Sequence, residues 1–182
     1  MLAAGLSHRM GKDKLLLEYQ SKSFLQHAID LMTVLPVYER ILITNDARIA
    51  SITTAPGIRP YINPTPESGQ SGSLQIGIEA ATGTHYLFLT ADQPKLKPTD
   101  LNPILESIIK YPDKIIYPEI ESKPSSPTVF PLKYNGELLG LSGDTGGRTL
   151  RDTYPENCHP IKPDFPMNFI DIDTMEDYEK LL

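Results

Sequence analysis

Short apolar runs alternate with segments of helical periodicity along the chain. The run at 41–43 predicts a buried strand over 40–44, and the most apolar run predicts the strongest strand over 85–90. Apolar residues recur at helical spacing over 24–35, where Ser23 can cap a helix and Pro36 can end it. This alternation predicts a mostly parallel sheet with helices on both faces.

The same pattern continues to the end of the chain. It predicts further helices at 73–81, 98–110, 132–141, 147–153 and 174–182, and further strands at 59–62, 114–117, 127–130 and 168–172. We therefore expect one α/β domain over 1–182 with a Rossmann-like sheet. Ligands of such sheets bind beyond the carboxyl ends of the strands, so the loops that follow strands are the candidate site.

Composition narrows the class of function. The 182 residues include 17 Lys and Arg against 23 Asp and Glu, a net charge of −6, which argues against a general nucleic-acid binder. No stretch has the roughly 18 apolar residues of a membrane span, no secretion signal is recognisable, and the single Cys158 excludes an internal disulfide. We expect a cytoplasmic protein without a membrane partner.

The first candidate site is the segment 2–14, LAAGLSHRMGKDK. Small residues let backbone N–H groups approach an anion, and Arg9 and Lys14 add positive charge beside them. This chemistry suits a triphosphate, although the spacing is not that of a Walker A loop. The alternative interpretation is a glycine-rich turn with two solvated cations.

A second candidate is the polar run 67–72 before the helix predicted at 73–81. Gly72 permits close approach by a flat ring, and Ser73 can hydrogen-bond a ligand at the start of the helix. Ser73 can equally serve only as a helix cap, and the two interpretations are compatible.

Carboxylates follow two of the predicted strands. Asp92 comes directly after the strongest strand, where a carboxylate beside a phosphate loop would hold Mg²⁺; the alternative is a turn before Pro94. Asp171 and Asp173 follow the last predicted strand and share a face, so one can complete the metal site while the other caps the closing helix. Asp171 is preferred because it lies nearer the strand end.

Segment 2–14 resembles the Leu-Ala-Ala-Gly-x-Ser-x-Arg-Met-Gly-x-x-Lys signature of nucleotidyltransferases similar to molybdenum cofactor cytidylyltransferase, in the MobA-like NTP transferase superfamily. Related guanylyltransferases usually begin Leu-Ala-Gly-Gly, so Ala3 and Ala4 favour the cytidylyl branch. Later blocks match in order over nearly the whole chain. The resemblance implies a nucleotide site made of Leu2, Ala3, Ala4, Gly5, Ser7, Arg9, Lys14, Gly72, Ser73 and Asp92.

The resemblance also implies roles and a reaction. Arg9, Lys14 and Asp92 would be catalytic, with Asp92, Asp171 and Asp173 near Mg²⁺. The block at 141–148 resembles a Gly-Asp-x-Gly-x-Arg block on the acceptor side, formed here by Gly143, Asp144, Gly146, Gly147 and Arg148. The implied reaction transfers a cytidylyl group from CTP to a molybdopterin-type acceptor and releases pyrophosphate, with a molybdenum enzyme as the recipient of the product.

Three alternatives stay open at this point. The enzyme can use GTP, it can attach CTP to a sugar or alcohol phosphate, or the chain can be a non-catalytic nucleotide-binding accessory protein for molybdenum enzymes.

One departure from the resemblance concerns the first strand. Related proteins have an apolar strand before Leu-Ala-Ala-Gly, whereas here Met1 precedes it directly. We expect either a truncated first strand, whose native upstream residues would raise the melting temperature, or a sheet that closes in another way.

Overall fold

The computed structural model describes residues 1–4, 14–53, 55–143 and 145–182. Its strands are β1 (Leu2–Ala3), β2 (Glu18–Tyr19), β3 (Lys22–Ser23), β4 (Arg40–Thr44), β5 (Ile58–Ile62), β6 (His85–Phe88), β7 (Ile115–Ile120), β8 (Lys123–Pro124), β9 (Thr128–Pro131) and β10 (Cys158–Ile161). Its α-helices are α1 (Phe24–Val34), α2 (Ala47–Ile52), α3 (Gly69–Ala80), α4 (Asn102–Lys110), α5 (Asn135–Leu139), α6 (Arg148–Thr153) and α7 (Met175–Leu181). Among the described residues, none of these helices is both long and apolar enough to span a membrane.

The main sheet has the strand order β5-β4-β1-β6-β9-β7-β10. Parallel pairing joins β5, β4 and β1, and a parallel bridge from Leu2 to Thr90 connects β1 to the chain just after β6. β9 runs antiparallel between β6 and β7, and β10 pairs parallel with β7. The prediction of a mostly parallel sheet is confirmed.

Helices cover both faces of this sheet. Consecutive strand residues point to opposite faces and therefore pack into two different cores. Ile116 and Val129 belong to the core that contains most of the buried residues of α1 and Ile104 of α4. Their neighbours Ile115 and Phe130 belong to the core under α3, α5 and α6. The predicted layer order of helix, sheet and helix is therefore present.

The first strand is short, as expected, but it occupies a central place. Met1 is buried, and its carbonyl accepts a hydrogen bond from the amide of Ile43 at 3.0 Å. The amide of Leu2 donates to the carbonyl of Leu89 at 2.8 Å. Met1 and Leu2 thus connect the half of the sheet that contains β4 to the half that contains β6.

Most predicted elements are present, several with shifted ends. Ser23 caps α1 by accepting from the amide of Gln26 at 3.1 Å, and Thr174 caps α7 in a capping box with Asp177. The helix predicted at 73–81 begins earlier, at Gly69, because the polar run forms its first turn. The helix predicted at 98–110 begins as a 3₁₀ turn, Pro98–Leu101, that continues into α4.

The strand predicted at 168–172 is wrong, and β10 was missed. Pro166–Phe169 is a 3₁₀ turn, and the amide of Ile172 donates to the carbonyl of Asp92 at 3.0 Å instead of joining a strand ladder. β10 lacks alternation and contains Pro160, which an edge strand tolerates because the missing N–H can face away from the ladder.

Candidate nucleotide site

Lys14 lies between two carboxylates at the carboxyl edge of the sheet. It begins a 3₁₀ turn, and its Nζ is 2.9 Å from Oδ2 of Asp92 and 2.7 Å from Oδ1 of Asp173. Asp92 follows β6, and Asp173 precedes α7, so residues from three distant parts of the chain meet here. Partial burial opposes the charged form of Lys14, but attraction to Asp92 and Asp173 outweighs it and raises the pKa of Lys14.

Asp171 completes an acidic wall around this ion pair. The side chain reaches solvent, but surrounding protein atoms reduce its hydration, and the negative charges of Asp92 and Asp173 oppose its ionisation. These effects raise the pKa of Asp171 to about 7, although Lys14 and a hydrogen bond from Gln93 act in the other direction. Excess negative charge of this kind favours the binding of a cation.

The donor set fits a magnesium ion bound together with a nucleotide. Oδ1 of Asp92 is buried without a hydrogen-bond partner, and such an atom is costly unless a ligand occupies it. Among the described residues, no three Asp, Glu, His or Cys side chains form a ready-made metal cluster. Magnesium does not require one, because it usually takes one or two carboxylates, several waters and substrate phosphates.

The start of α3 follows β5 and so lies on the same carboxyl side of the sheet. Ser73 is buried in the second turn, and its Oγ accepts a hydrogen bond of 3.0 Å from Nδ2 of Asn63, so Ser73 is not the helix cap. Asn63 follows β5, and its Oδ1 accepts from the amide of Thr65 at 2.9 Å. A Cβ at Gly72 would meet the hydroxyl of Ser68, so that side chain would have to rotate away.

The glycine-rich loop at 141–148 packs against this helix start. Gly143, at φ +64°, accepts through its carbonyl a hydrogen bond of 3.1 Å from the amide of Ser71. A Cβ at Gly146 would collide with Gln70, and one at Gly147 would lie 2.5 Å from the Phe130 ring. The loop predicted for the acceptor side therefore adjoins the helix predicted for the nucleoside side.

Arg148 begins α6 with a solvent-exposed side chain, 3.9 Å from Asp152. This ion pair constrains the Arg148 side chain only weakly, because an exposed pair at this distance contributes little.

The structure brings Lys14, Asp92 and Asp173 together, and in a separate set of contacts it brings the start of α3 against the loop that contains Gly143 and Gly146. Leu2 and Ala3 form β1, and Ala4 follows them at the carboxyl edge. Gly5, Ser7, Arg9 and Asp144 lie outside the described residues.

Sequence reasoning missed Asn63 and assigned no role to Gln93, both of which are buried. Asn63 carried one usable signal, since it directly follows a predicted strand in a sheet whose ligands bind at strand ends. Gln93 carried none beyond its place next to Asp92, because its partners lie far away in the sequence.

Comparison with known proteins agrees with this geometry. The family model described as MobA-like NTP transferase domain matches residues 1–158. No curated protein matches the chain significantly.

Three solved proteins illustrate the shared fold. Rv0371c from Mycobacterium tuberculosis H37Rv has a TM-score of 0.79 at 24% identity, covering 100% of this chain and 94% of that one, and the same protein was also solved with manganese. CMP:2-keto-3-deoxy-manno-octonic acid synthetase complexed with CTP has a TM-score of 0.75 at 14% identity, covering 99% and 94%.

The third is molybdopterin-guanine dinucleotide biosynthesis protein A from Archaeoglobus fulgidus. It has a TM-score of 0.67 at 14% identity, with 99% of this chain and 94% of that chain covered. At these identities the likenesses show the fold, while the family model covers most of the chain. The chain is therefore a nucleotidyltransferase of the MobA-like NTP transferase family.

Proposed function

We propose that the protein transfers a cytidylyl group from CTP to a molybdopterin-type acceptor and releases pyrophosphate. The observation that carries the proposal is the meeting of Lys14 with Asp92 and Asp173 at the carboxyl edge of the sheet. A cation suited to phosphate and carboxylates suited to a metal ion are in direct contact here, which supports a site for nucleotidyl transfer. The reaction fits a cytoplasmic protein, where nucleoside triphosphates are abundant.

In this proposal the chain positions two substrates and offsets charge. Asp92, with Asp171 or Asp173, would hold Mg²⁺, which supplies charge neutralisation on the nucleotide phosphates when bound. Lys14 and Arg9 would hold the triphosphate, together with backbone groups of Leu2, Ala3, Ala4, Gly5 and Ser7. An acceptor phosphate oxygen attacks the α-phosphorus in line, and no covalent enzyme intermediate is needed.

Two neighbouring parts of the proposed site would bind the two substrates. Gly72 and Ser73 would face the nucleoside, and the Asn63–Ser73 hydrogen bond would keep that turn rigid. Gly143, Asp144, Gly146, Gly147 and Arg148 would face the acceptor. The nearness of Gly146 to Gln70 supports this arrangement, because transfer requires two substrates bound side by side.

The choice of CTP has support from Ala3 and Ala4, which match the cytidylyl branch of the resemblance, and from the CTP-bound synthetase of similar fold. The molybdopterin-type acceptor is supported by the resemblance and by the fold shared with the molybdopterin-guanine dinucleotide protein. Because the name of that protein refers to a guanine dinucleotide, GTP is the main alternative to CTP as the nucleotide substrate.

A panel of turnover assays tests the proposal. Purified protein is incubated with Mg²⁺, each nucleoside triphosphate and either purified molybdopterin precursor or a set of sugar and alcohol phosphates, and pyrophosphate release is measured. We expect release that requires both CTP and the molybdopterin acceptor. Release with GTP alone among the nucleotides, or only with a sugar or alcohol phosphate, would replace the substrate assignment. Binding of CTP without turnover for any acceptor would favour an accessory protein.

A further inference from the structure

Gln93 connects three segments of the chain through one buried side chain. It is 6% exposed, and its Nε2 donates to the carbonyl of Phe169 at 2.8 Å and to the carbonyl of Ser126 at 3.1 Å. Gln93 directly follows Asp92, so the amide side chain and the candidate metal ligand come from adjacent residues at the edge of the sheet. Both acceptors are main-chain carbonyls, and the side chain of Gln93 also hydrogen-bonds the carboxylate of Asp171.

The segment that Gln93 binds at Phe169 also contains Asp171 and Asp173, the other two carboxylates around Lys14. Phe169 stands two residues before Asp171, and its carbonyl also accepts from Oγ of Ser125 at 3.0 Å. Beyond Asp171, the amide of Ile172 donates to the carbonyl of Asp92 at 3.0 Å. The backbone is thus fixed on both sides of Asp171 by the pair Asp92–Gln93 and by Ser125.

These contacts matter because residues 170–174 belong to no helix or strand. A strand ladder would fix such a segment through repeated main-chain pairs, whereas here a few hydrogen bonds decide where it lies. Loss of the Gln93 donor would leave the Phe169 carbonyl with Ser125 Oγ as its remaining side-chain donor, so the segment would lose one of the few hydrogen bonds that fix it. The position of the carboxylates therefore depends on Gln93, which binds the backbone before Asp171 and the Asp171 side chain but is not itself a proposed metal ligand.

We propose that Gln93 is a positioning residue for the metal site, whose side-chain amide holds the Phe169 carbonyl and thereby sets where Asp171 and Asp173 stand relative to Asp92. The proposal rests on the proposed function, because it concerns how the carboxylates of that same site are arranged for a divalent cation. Side chains that orient metal ligands through one intervening contact typically change metal affinity about 10- to 100-fold when they are replaced.

The test compares Gln93→Met with Asn168→Leu. Methionine keeps the length and apolar stem of Gln93 but donates no hydrogen bond. Asn168 is the matched control, because its Nδ2 donates to Asp100 at 2.9 Å and so anchors the same 3₁₀ turn away from the carboxylates. Binding of Mn²⁺ alone is measured by calorimetry, and thermal unfolding is followed in parallel.

We expect Gln93→Met to bind Mn²⁺ about tenfold more weakly than the unsubstituted protein. Asn168→Leu should stay within about twofold, even if both variants melt at a lower temperature. Equal Mn²⁺ affinity in Gln93→Met and the unsubstituted protein would overturn the inference, as would an equal loss in both variants.

Ser125→Ala keeps the inference testable if Gln93→Met does not fold. It removes the second donor to the Phe169 carbonyl from a half-buried position and should weaken Mn²⁺ binding in the same direction; unchanged affinity would contradict the inference. Failure of the proposed function gives a different result, since the unsubstituted protein would then show no turnover in the nucleotide panel whatever Gln93→Met does to Mn²⁺ binding.

Discussion

At the scale of single residues, Lys14 lies between two carboxylates, in a position where a divalent cation would also bind. Its ammonium group neutralises part of the charge of Asp92 and Asp173 when no nucleotide is bound. A triphosphate would offer Lys14 stronger anionic partners and leave the carboxylates to the metal ion. Lys14 should therefore oppose the binding of metal alone and favour the binding of nucleotide.

This exchange predicts opposite effects for one substitution. Lys14→Met should bind Mn²⁺ alone more tightly, by roughly three- to tenfold, because a competing cation has been removed. The same variant should bind CTP in the presence of Mn²⁺ more weakly by at least a similar factor. Calorimetric titrations of each ligand measure both effects.

Lys22→Met serves as the control for this experiment, since Lys22 pairs with Asp30 and with neither carboxylate of the site. It should leave both affinities unchanged. Weaker Mn²⁺ binding in Lys14→Met would show that Lys14 does not compete with the metal ion for these carboxylates.

Residue identities in the site could be predicted further than residue contacts. Asp92 was recognisable because it follows the most apolar strand, and Lys14 because a basic residue closes a glycine-rich segment. The contact of Lys14 with Asp173 joins positions 159 residues apart, and no local pattern encodes it. The Asn63–Ser73 hydrogen bond was equally invisible, because it depends on how β5 and α3 pack.

At the scale of elements, the start of α6 must lie close to the sheet for the loop that we propose binds the acceptor to keep its position. Gly147 allows this approach, because a Cβ there would lie 2.5 Å from the fully buried ring of Phe130. The ring is enclosed by the core and has no free space to move into.

Gly147→Ala should therefore lower the free energy of unfolding by about 1–3 kcal/mol through overpacking. Gly136→Ala is the matched control, since a Cβ there meets nothing within 4 Å inside α5. It should raise the free energy of unfolding by about 0.5–1 kcal/mol through helix propensity. Urea unfolding of the two variants gives both signs, and a neutral Gly147→Ala would mean that α6 does not need this close approach.

The elements themselves show where local patterns succeed and fail. The 40–44 strand and the helix beginning at Phe24 were found because apolar periodicity, a cap and a proline agree there. Residues 168–172 include three apolar side chains and were predicted as a strand, yet their backbone partners are Gln93, Ser125 and the carbonyl of Asp92. An apolar run indicates which residues can be buried, and it does not indicate what the backbone binds.

At the scale of the whole molecule, the short β1 leaves space between its neighbours. A cavity of about 140 Å³ lies at its amino end, bordered by Met1, Ile41 and Leu87 among other residues. Main-chain groups of successive residues point to alternate edges of a strand. The carbonyl of Thr84 accepts from the amide of Leu132 on the β9 side, and the carbonyl of Leu89 accepts from the amide of Leu2 on the β1 side. The main-chain groups of the odd-numbered residues of β6 therefore point toward β1 and the cavity. Main-chain groups of two strands thus border a gap one strand wide.

An extension of β1 should fill this gap. Three added residues, Val-Ile-Val, before Met1 should raise the melting temperature, because they add parallel pairing and apolar burial at the centre of the sheet. A Gly-Ser-Gly extension of equal length is the control and should give a smaller increase or none. Equal melting temperatures for the two extended proteins would contradict this use of the cavity.

The amino group of Met1 adds a pH dependence when the 182-residue chain carries it free. It donates to the carbonyl of Ile41 at 2.7 Å, and burial lowers its pKa from 8.0 to about 5. Between pH 5 and pH 8 the unfolded chain therefore binds more protons at this group, so the free energy of unfolding should rise with pH by up to about 1.4 kcal/mol per unit. Urea unfolding at pH 6 and pH 7.5 measures the rise.

The Val-Ile-Val extension replaces this amine with an amide, so the extended protein should lose that part of the pH dependence. An identical pH dependence in the extended and unextended proteins would place the amino group in solvent.

The most direct test of the central claim is product formation by Asp92→Asn. The assay follows CMP attached to the acceptor and pyrophosphate, with CTP, Mg²⁺ and molybdopterin precursor, and a thermal melt verifies that the variant is folded. Asp100→Asn, which alters a carboxylate bonded to Asn168 and not to Lys14, is the control. The account predicts abundant product from the unsubstituted protein and from Asp100→Asn, and a loss of at least about 100-fold in folded Asp92→Asn. Full activity in Asp92→Asn would contradict it.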